Sequence, residues 1–330
     1  MTKNEILQLL KKENTKTLFS QANQVRKDFC GDKIFLRGLV EFSSHCIRNC
    51  LYCGLRKDNK DAKRTRLKSF EILEAAIAVR KKGLKTVVLQ SGDDFFYTRN
   101  VFSKIIKNIK KQCPDLTITL SLGERPLDHY NAFYDAGASR YLLKHETADE
   151  KLYSILHPGQ SLKNRFKILD YLRKVGFQVG SGNIVGLPGQ TLDHLAKDIL
   201  FYQSFQPDMI GIGPFMPQSQ TPLANHKFSD ISLVLKMIAL ARIVTKNAHM
   251  PVTTALTTLG GDRVQLKALN VGCNVIMPSF TSVGLKKDYI IYDDKTKVTL
   301  NNARRIIKLA KRKVSCQKGD SLKLFSKSSL

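Results

Sequence analysis

Apolar residues along this chain fall into two alternating patterns. Short β-rich runs occupy 34–42 (IFLRGLVEF), 85–90, 116–122, 140–145, 177–186, 208–215, 251–256 and 274–280. Between them, apolar residues recur at helical spacing over 69–82, 100–112, 127–136, 161–175, 192–204, 229–246 and 262–270. Gly83, Gly137, Gly176 and Gly272 stand where such helices end before the next strand, the place for a left-handed cap. Strands that alternate with helices predict a parallel sheet, because parallel neighbours need crossovers. Eight such units in roughly 250 residues is the size of a closed α/β barrel of the (βα)8 TIM type, expected here over 34–296. A doubly wound open sheet is the alternative, but no G-x-G-x-x-G follows the first strand. Residues 1–33 read as a helical extension with Ile6, Leu7, Leu9 and Leu10 on its apolar face, and 297–330 as a basic helix with a frayed polar tail.

The chain has 330 residues, 42% of them hydrophobic, enough for one barrel and short extensions. Its longest apolar stretch, 231–244, is broken by Lys236 and Arg242, so no membrane span is expected. The first residues, MTKNEILQLL, lack the core and cleavage pattern of a secretory signal. A cytoplasmic location is the expectation. Seven cysteines without an export signal point to metal binding or incidental burial rather than disulfides. The net charge of +26 draws anionic ligands and brings nucleic acid into consideration. Basic residues thicken at 56–68 and 304–313, yet neither segment interleaves them with aromatics as a single-strand stacking platform would. A solvated surface is the plainer account.

The chemistry concentrates directly after the first strand, in EFSSHCIRNCLYCGLRKDN (41–59), with the spacing Cys46-x3-Cys50-x2-Cys53. Three thiolates on one tight loop can ligate three irons of a cubane. The fourth iron then keeps an open position for a substrate, as a Lewis-acid centre requires. A zinc site is the alternative, but structural zinc wants four ligands. His45 abuts Cys46 too closely to complete a tetrahedron, and no second Cys/His pair follows. Barrel sites are built after strands, which favours the cluster.

This triad resembles the radical S-adenosylmethionine superfamily. The resemblance implies that the open iron chelates the amino and carboxylate groups of S-adenosylmethionine. An electron from the single 4Fe–4S cluster then cleaves the sulfonium to a 5′-deoxyadenosyl radical. Further motifs, LQSGDD (89–94), TLSLGERP (119–126), RYLLKHETA (140–148), KNRF (163–166), VGLPGQT (185–191), GIGPFMP (211–217), TPLAN (221–225), VTTA (252–255) and NVIMPSF (274–280), are similar to the FeFe-hydrogenase maturase family HydE over roughly 34–280. Tyr52, one residue before Cys53, can shield the cluster from water; on that resemblance, Ser91, Gly92 and Asp93 meet the methionine amino group, and Gln90 beside them is a cofactor-binding position. Thr119 and Glu146 face the cofactor, Arg165 clamps its carboxylate, Gly182 lets the backbone approach the adenine, and Met277 covers the cavity. Arg140, Lys144, Thr253 and Thr254 fall at the family's anion- and substrate-facing positions. Asp93 stands where Glu is expected, Lys144 where Arg is expected and Phe280 where Trp is expected. With only Cys316 near the C-terminus, no second cluster is expected. Taken singly, Asp93 could equally cap a helix, Glu146 and Arg165 could form a structural ion pair, and the threonines could be ordinary strand residues. Cys30, Cys113 and Cys273 read as buried or incidental, and His157, His194, His226 and His249 as surface or loop residues.

The implied activity is radical chemistry on an iron- and sulfur-containing small substrate, an iron–carbonyl–cyanide–cysteine unit passed on by a partner maturase. Ferredoxin or flavodoxin would supply electrons. Methylornithine synthase is the enzymatic alternative, but SLGE and RYLLKHE look like the maturase. Biotin synthase needs auxiliary-cluster cysteines that strands two, three and five do not carry. Nucleic-acid binding driven by charge is the remaining alternative. It predicts an affinity that falls steeply with salt.

Overall fold

A computed structural model of the chain describes residues 1–323. In chain order the elements begin with α1 (Lys3–Lys11), α2 (Lys16–Cys30), β1 (Lys33–Leu36), β2 (Gly38–Ser43), α3 (Ser69–Lys81), β3 (Thr86–Ser91), α4 (Arg99–Gln112) and β4 (Thr117–Ser121). There follow α5 (Leu127–Asp135), β5 (Arg140–Leu142), α6 (Glu150–Leu156), α7 (Leu162–Val175), β6 (Gln178–Ser181), β7 (Ile184–Val185), α8 (Leu192–Phe205), β8 (Met209–Ile210) and β9 (Gly213–Pro214). The last are α9 (Ile231–Thr245), β10 (Pro251–Val252), α10 (Thr254–Asn270), β11 (Val275–Ile276), α11 (Val283–Asp288), α12 (Leu300–Leu309) and β12 (Lys313–Val314).

Period-two alternation explains the barrel wall. On β2, Val40 and Phe42 enter the hydrophobic core, while Leu39 and Glu41 line the interior cavity. The same division separates Val87 and Leu89 from Val88 and Gln90 on β3, and Ile118 and Leu120 from Thr119 and Ser121 on β4. The helices answer with an apolar stripe. On α4, Phe102, Ile105, Ile106 and Ile109 are buried, at the spacing that puts them on one face.

Parallel pairing runs β2–β3–β4–β5–β6–β8, with β7 beside β9, and β10–β11–β1 along the other side. The single bridges Met209↔His249 and Leu39↔Ser279 join these sheets, so the ring closes and the open-sheet alternative falls. The expected strand over 251–256 is only half strand. The Thr253 hydroxyl accepts from Leu256 N at 3.3 Å and starts α10, a capping role that suits Thr. In the N-terminal extension, α1 and α2 pack on α8 and α9.

Three expectations are corrected at the lower end of the barrel. The polar tail is ordered as far as it is described: β12 pairs with β1, and residues 318–320 plug the barrel floor. The rest of the expected tail, 324–330, lies outside the described residues. Arg140 is not a substrate-facing group. It is the first residue of β5, and parallel barrel strands point their C-terminal ends at the active-site mouth, so Arg140 sits at the opposite end. There its guanidinium, wholly buried, bonds Asp320 Oδ1 (2.8 Å), Lys318 O (3.1 Å) and Thr86 Oγ1 (3.2 Å). Its charge is spent on the plug. His249, expected at the surface, is buried beside it and contacts Asp320 O at 3.0 Å.

Candidate active site

A cavity of about 360 Å3 opens at the C-terminal ends of the barrel strands. Cys46, Cys50 and Cys53 lie on it, together with Tyr52, Gln90, Ser91, Gly92, Asp93, Thr119, Lys144, Glu146, Arg165, Thr253, Thr254 and Met277. Of the expected site residues only Arg140 and Gly182 do not line it. Gly182 stands in the wall behind it, where a Cβ would come within 2.2 Å of Gly211 O and 2.9 Å of Lys144 Cε.

The cysteine loop is held by its backbone. Cys53 N donates to Cys50 O (3.3 Å) and Ile47 N to Asp93 O (3.1 Å). Gly92 is required for this packing, because a Cβ there would lie 2.3 Å from His45 O and 2.7 Å from Cys46 Cβ. Burial pushes the Cys46 thiol up to about 11 and the Cys50 thiol up to about 12, and burial raises Cys53 as well. Three such thiols ionise only around a strongly cationic group, as metal-bound thiols do. Among the described residues no three His, Cys, Asp or Glu side chains gather around one ion-sized point. A cubane is wider, each thiolate meeting a different iron. Gln160 Nε2 already points at Cys50 Sγ, 3.5 Å away.

Beside the cysteines runs a chain of alternating charges. Arg48 Nε donates to Asp93 Oδ2 (2.7 Å) and Arg48 Nη2 to Glu124 Oε2 (3.2 Å). Arg165 Nε donates to Glu124 Oε1 (2.7 Å), Nη1 to Lys144 O (2.8 Å) and Nη2 to Gln160 Oε1 (3.0 Å). Asp93 is therefore ion-paired, with its acceptor capacity shared between Arg48 and Glu124 N (3.2 Å). Arg165 pairs with Glu124, not with Glu146. Gly123, at φ +67°, leaves the space: a Cβ there would overlap Asp93 Oδ1.

Across the cavity, Lys144 Nζ lies 2.9 Å from Glu146 Oε2, a charge contact that leaves that oxygen without a well-directed hydrogen bond. Burial would raise the Glu146 carboxyl, but Lys144 holds it below the usual range. Glu146 adopts φ +65°, a conformation that costs a non-glycine residue of order 1 kcal/mol. Flanking backbone pairs fix it: Glu146 N donates to Gly182 O and Ile184 N to Glu146 O, each at 2.9 Å. Thr119 Oγ1, on the cavity wall, is buried without a partner. An orphaned hydroxyl and a carboxylate held by a single lysine, facing one cavity, are set for a polar ligand.

The tertiary structure adds residues that sequence reading passed over. Arg48 and Glu124 lay inside motifs already singled out, so their signal was present. His157, expected at the surface, is buried, and its Nε2 meets the Tyr52 hydroxyl at 2.8 Å while Nδ1 meets Tyr153 O at 3.0 Å. Tyr289, Tyr292 and Lys295 come from a segment folded over the mouth, where Gly54 N donates to Ile291 O (3.2 Å) and Lys295 pairs with Glu41. No local pattern marks that return.

Burial lowers the His157 pKa to about 4. The unfolded chain, with an ordinary value near 6.5, takes up this proton first as pH falls. Stability from neutral His157 is thus complete above pH ~6.5 and is lost progressively toward pH ~4, on the order of 3 kcal/mol in all. Denaturant unfolding of the cluster-free chain across that window will show a shallower pH dependence in His157→Gln. Equal slopes would refute the buried neutral imidazole.

Comparison with known proteins agrees with this geometry. Residues 40–202 match the model of the Radical SAM superfamily. The FeFe hydrogenase maturase subunit HydE of Thermotoga maritima is 46% identical over 280 residues, covering 84% of this chain and 79% of that protein. The 3-methylornithine synthase of Methanosarcina acetivorans is 28% identical over 273 residues, covering 82% of this chain and 76% of that protein. The crystal structure of methylornithine synthase superposes with a TM-score of 0.85 at 25% identity, covering 97% of this chain and 95% of that one. The closed barrel, the cysteine loop at its mouth and these similarities converge: the chain is a radical SAM enzyme and belongs to the HydE family.

Proposed function

We propose that this protein is a maturase of FeFe hydrogenase that holds one 4Fe–4S cluster on Cys46, Cys50 and Cys53 and S-adenosylmethionine in the adjoining cavity. The observation that carries the reading is the placement of three partly buried thiols on the wall of a closed barrel cavity that also presents the unpartnered Thr119 hydroxyl and the Glu146 carboxylate. When bound, the cluster and S-adenosylmethionine supply an electron and a sulfonium whose reductive cleavage yields an organic radical. The chain's own residues do the rest. Asp93 and the Ser91–Gly92 backbone offer acceptors to an ammonium group, with Arg48 fixing the Asp93 carboxylate. Thr119 and Glu146 accept from hydroxyl or amino donors. Arg165, held by Glu124, Gln160 and Lys144 O, brings a positive charge to the cavity wall that suits a carboxylate. The apolar walls exclude water from a reactive intermediate.

Deeper in the barrel, Lys144, Thr253 and Thr254 face the remaining space and suit an anionic iron- and sulfur-containing substrate received from another maturase. The 46% identity to HydE, against 28% to 3-methylornithine synthase, favours this over lysine rearrangement. Anaerobic reconstitution with iron and sulfide will give about four irons per chain. Reduction with dithionite in the presence of S-adenosylmethionine will then release 5′-deoxyadenosine. Uptake of zinc alone, or no nucleoside product, would sink the reading.

A further inference from the structure

The surface over the cysteine loop carries a feature that the cavity does not explain. Segment 56–68 contains seven basic and two acidic residues, and it is laced onto the cysteine loop. Lys57 N donates to Arg48 O (2.7 Å), and Arg56 N to Cys53 O (3.0 Å). Arg64 Nη1 donates to Ser44 O (2.8 Å) and Leu55 O (2.9 Å), and the Ser44 hydroxyl donates to Lys63 O (3.1 Å). Lys57, Lys60 and Lys63 are left pointing outward, exposed to solvent.

On the same loop, Ile47, the neighbour of Cys46, is 51% exposed. Its backbone is bonded to Asp93 O, two residues before Phe95, and Phe95 and Phe96 are also exposed. Arg66 lies 4.5 Å over the Phe96 ring and Arg125 4.6 Å over that of Phe95. Arg66 is ion-paired with Asp94 and Arg125 is buried, so the exposed cations beside these apolar side chains are Lys57, Lys60 and Lys63, on the segment that covers the cysteine loop. Isolated exposed apolar residues need no explanation, but a grouped patch with a charged rim does.

We infer that this face docks an acidic one-electron carrier protein, which reduces the cluster from the Cys46 side. The inference rests on the function proposed above. Each cleavage of a sulfonium by that chemistry consumes one electron. The carrier is oxidised by one electron as the cluster is reduced by one, and no proton or bond is exchanged at the interface. A small apolar centre ringed by one sign of charge suits a transient redox encounter, in which contact area is modest and charge sets the approach. Charge complementarity names the partner, since the rim is basic and the carrier must be acidic. A nucleic acid would meet the same charge but has no reason to seat itself on the cysteine loop.

The test compares two reductants on the reconstituted enzyme, reading 5′-deoxyadenosine. Dithionite needs no docking face. A pre-reduced acidic bacterial ferredoxin, used as the probe, does. In the triple variant Lys57→Glu/Lys60→Glu/Lys63→Glu, the dithionite-driven rate will stay within about twofold of wild type, which also shows that the variant folds. The ferredoxin-driven kcat/KM will fall at least about tenfold, and the wild-type value will fall with added salt. Ferredoxin kinetics indifferent to both charge and salt would overturn the docking face alone. So would a variant that loses binding only to RNA or to anionic vesicles. A wild-type enzyme inert even to dithionite would overturn the proposed function and this inference with it.

Discussion

Cys50→Ala protein, reconstituted and reduced like the wild type, will release no 5′-deoxyadenosine above background. Loss of outer partners of metal ligands already costs 10–100-fold, so loss of a ligand here costs at least about 100-fold. The position leaves no substitute. Cys50 lies partly buried on the cavity with Cys46 and Cys53, and its neighbour Gln160 offers only an amide. Cys316→Ala is the matched control, because that thiol is exposed; it will retain full activity and iron. Anaerobic iron analysis, the visible absorption of the cluster and nucleoside release check all three together. Full nucleoside production by Cys50→Ala would remove the ligand assignment.

Glu124→Ala will lower stability by about 3–5 kcal/mol, the usual effect of removing one partner from a buried ionic network. In a chain of this size that is a fall in Tm of roughly 5–10 °C. Glu124 joins two guanidinium groups, Arg48 at 3.2 Å and Arg165 at 2.7 Å, and its side chain is only 8% exposed. Without it, both cations remain beside the cavity with less compensation. Arg165 also loses the contact that turns it toward the site, so the KM for S-adenosylmethionine will rise as well. Glu124→Gln, which keeps one acceptor but turns an amide toward the second guanidinium, will fall between wild type and Glu124→Ala. Thermal unfolding of the three proteins side by side decides the matter, and an unchanged Tm in Glu124→Ala would rule out the network as a stabilising element.

The sequence was informative wherever a short-range rule applied. Alternation such as Leu39/Val40/Glu41/Phe42 reports two-sided burial, and that is a local property of a strand. The Cys46, Cys50 and Cys53 spacing fits within one loop. Most of the expected cavity residues sit at strand ends, and a parallel barrel gathers strand ends at one mouth. The misreadings have a common origin in long-range placement. Arg140 and Lys144 are four residues apart on one run, yet Lys144 faces the cavity and Arg140 the plugged floor. Which end of a strand a residue occupies depends on where pairing begins, and apolar content does not report that. His157 gave no periodic signal because its partner Tyr52 is 105 positions away.

The order of elements, the barrel and the presence of a three-thiol loop were therefore set by local patterning, since periodicity and spacing act within a few residues. Only the folded chain decided how the charges are paired. Asp93 meets Arg48, Arg165 meets Glu124, and Arg140 meets the C-terminal segment. An ion pair depends on distance in space, and segments far apart in sequence acquire that distance only when the barrel closes.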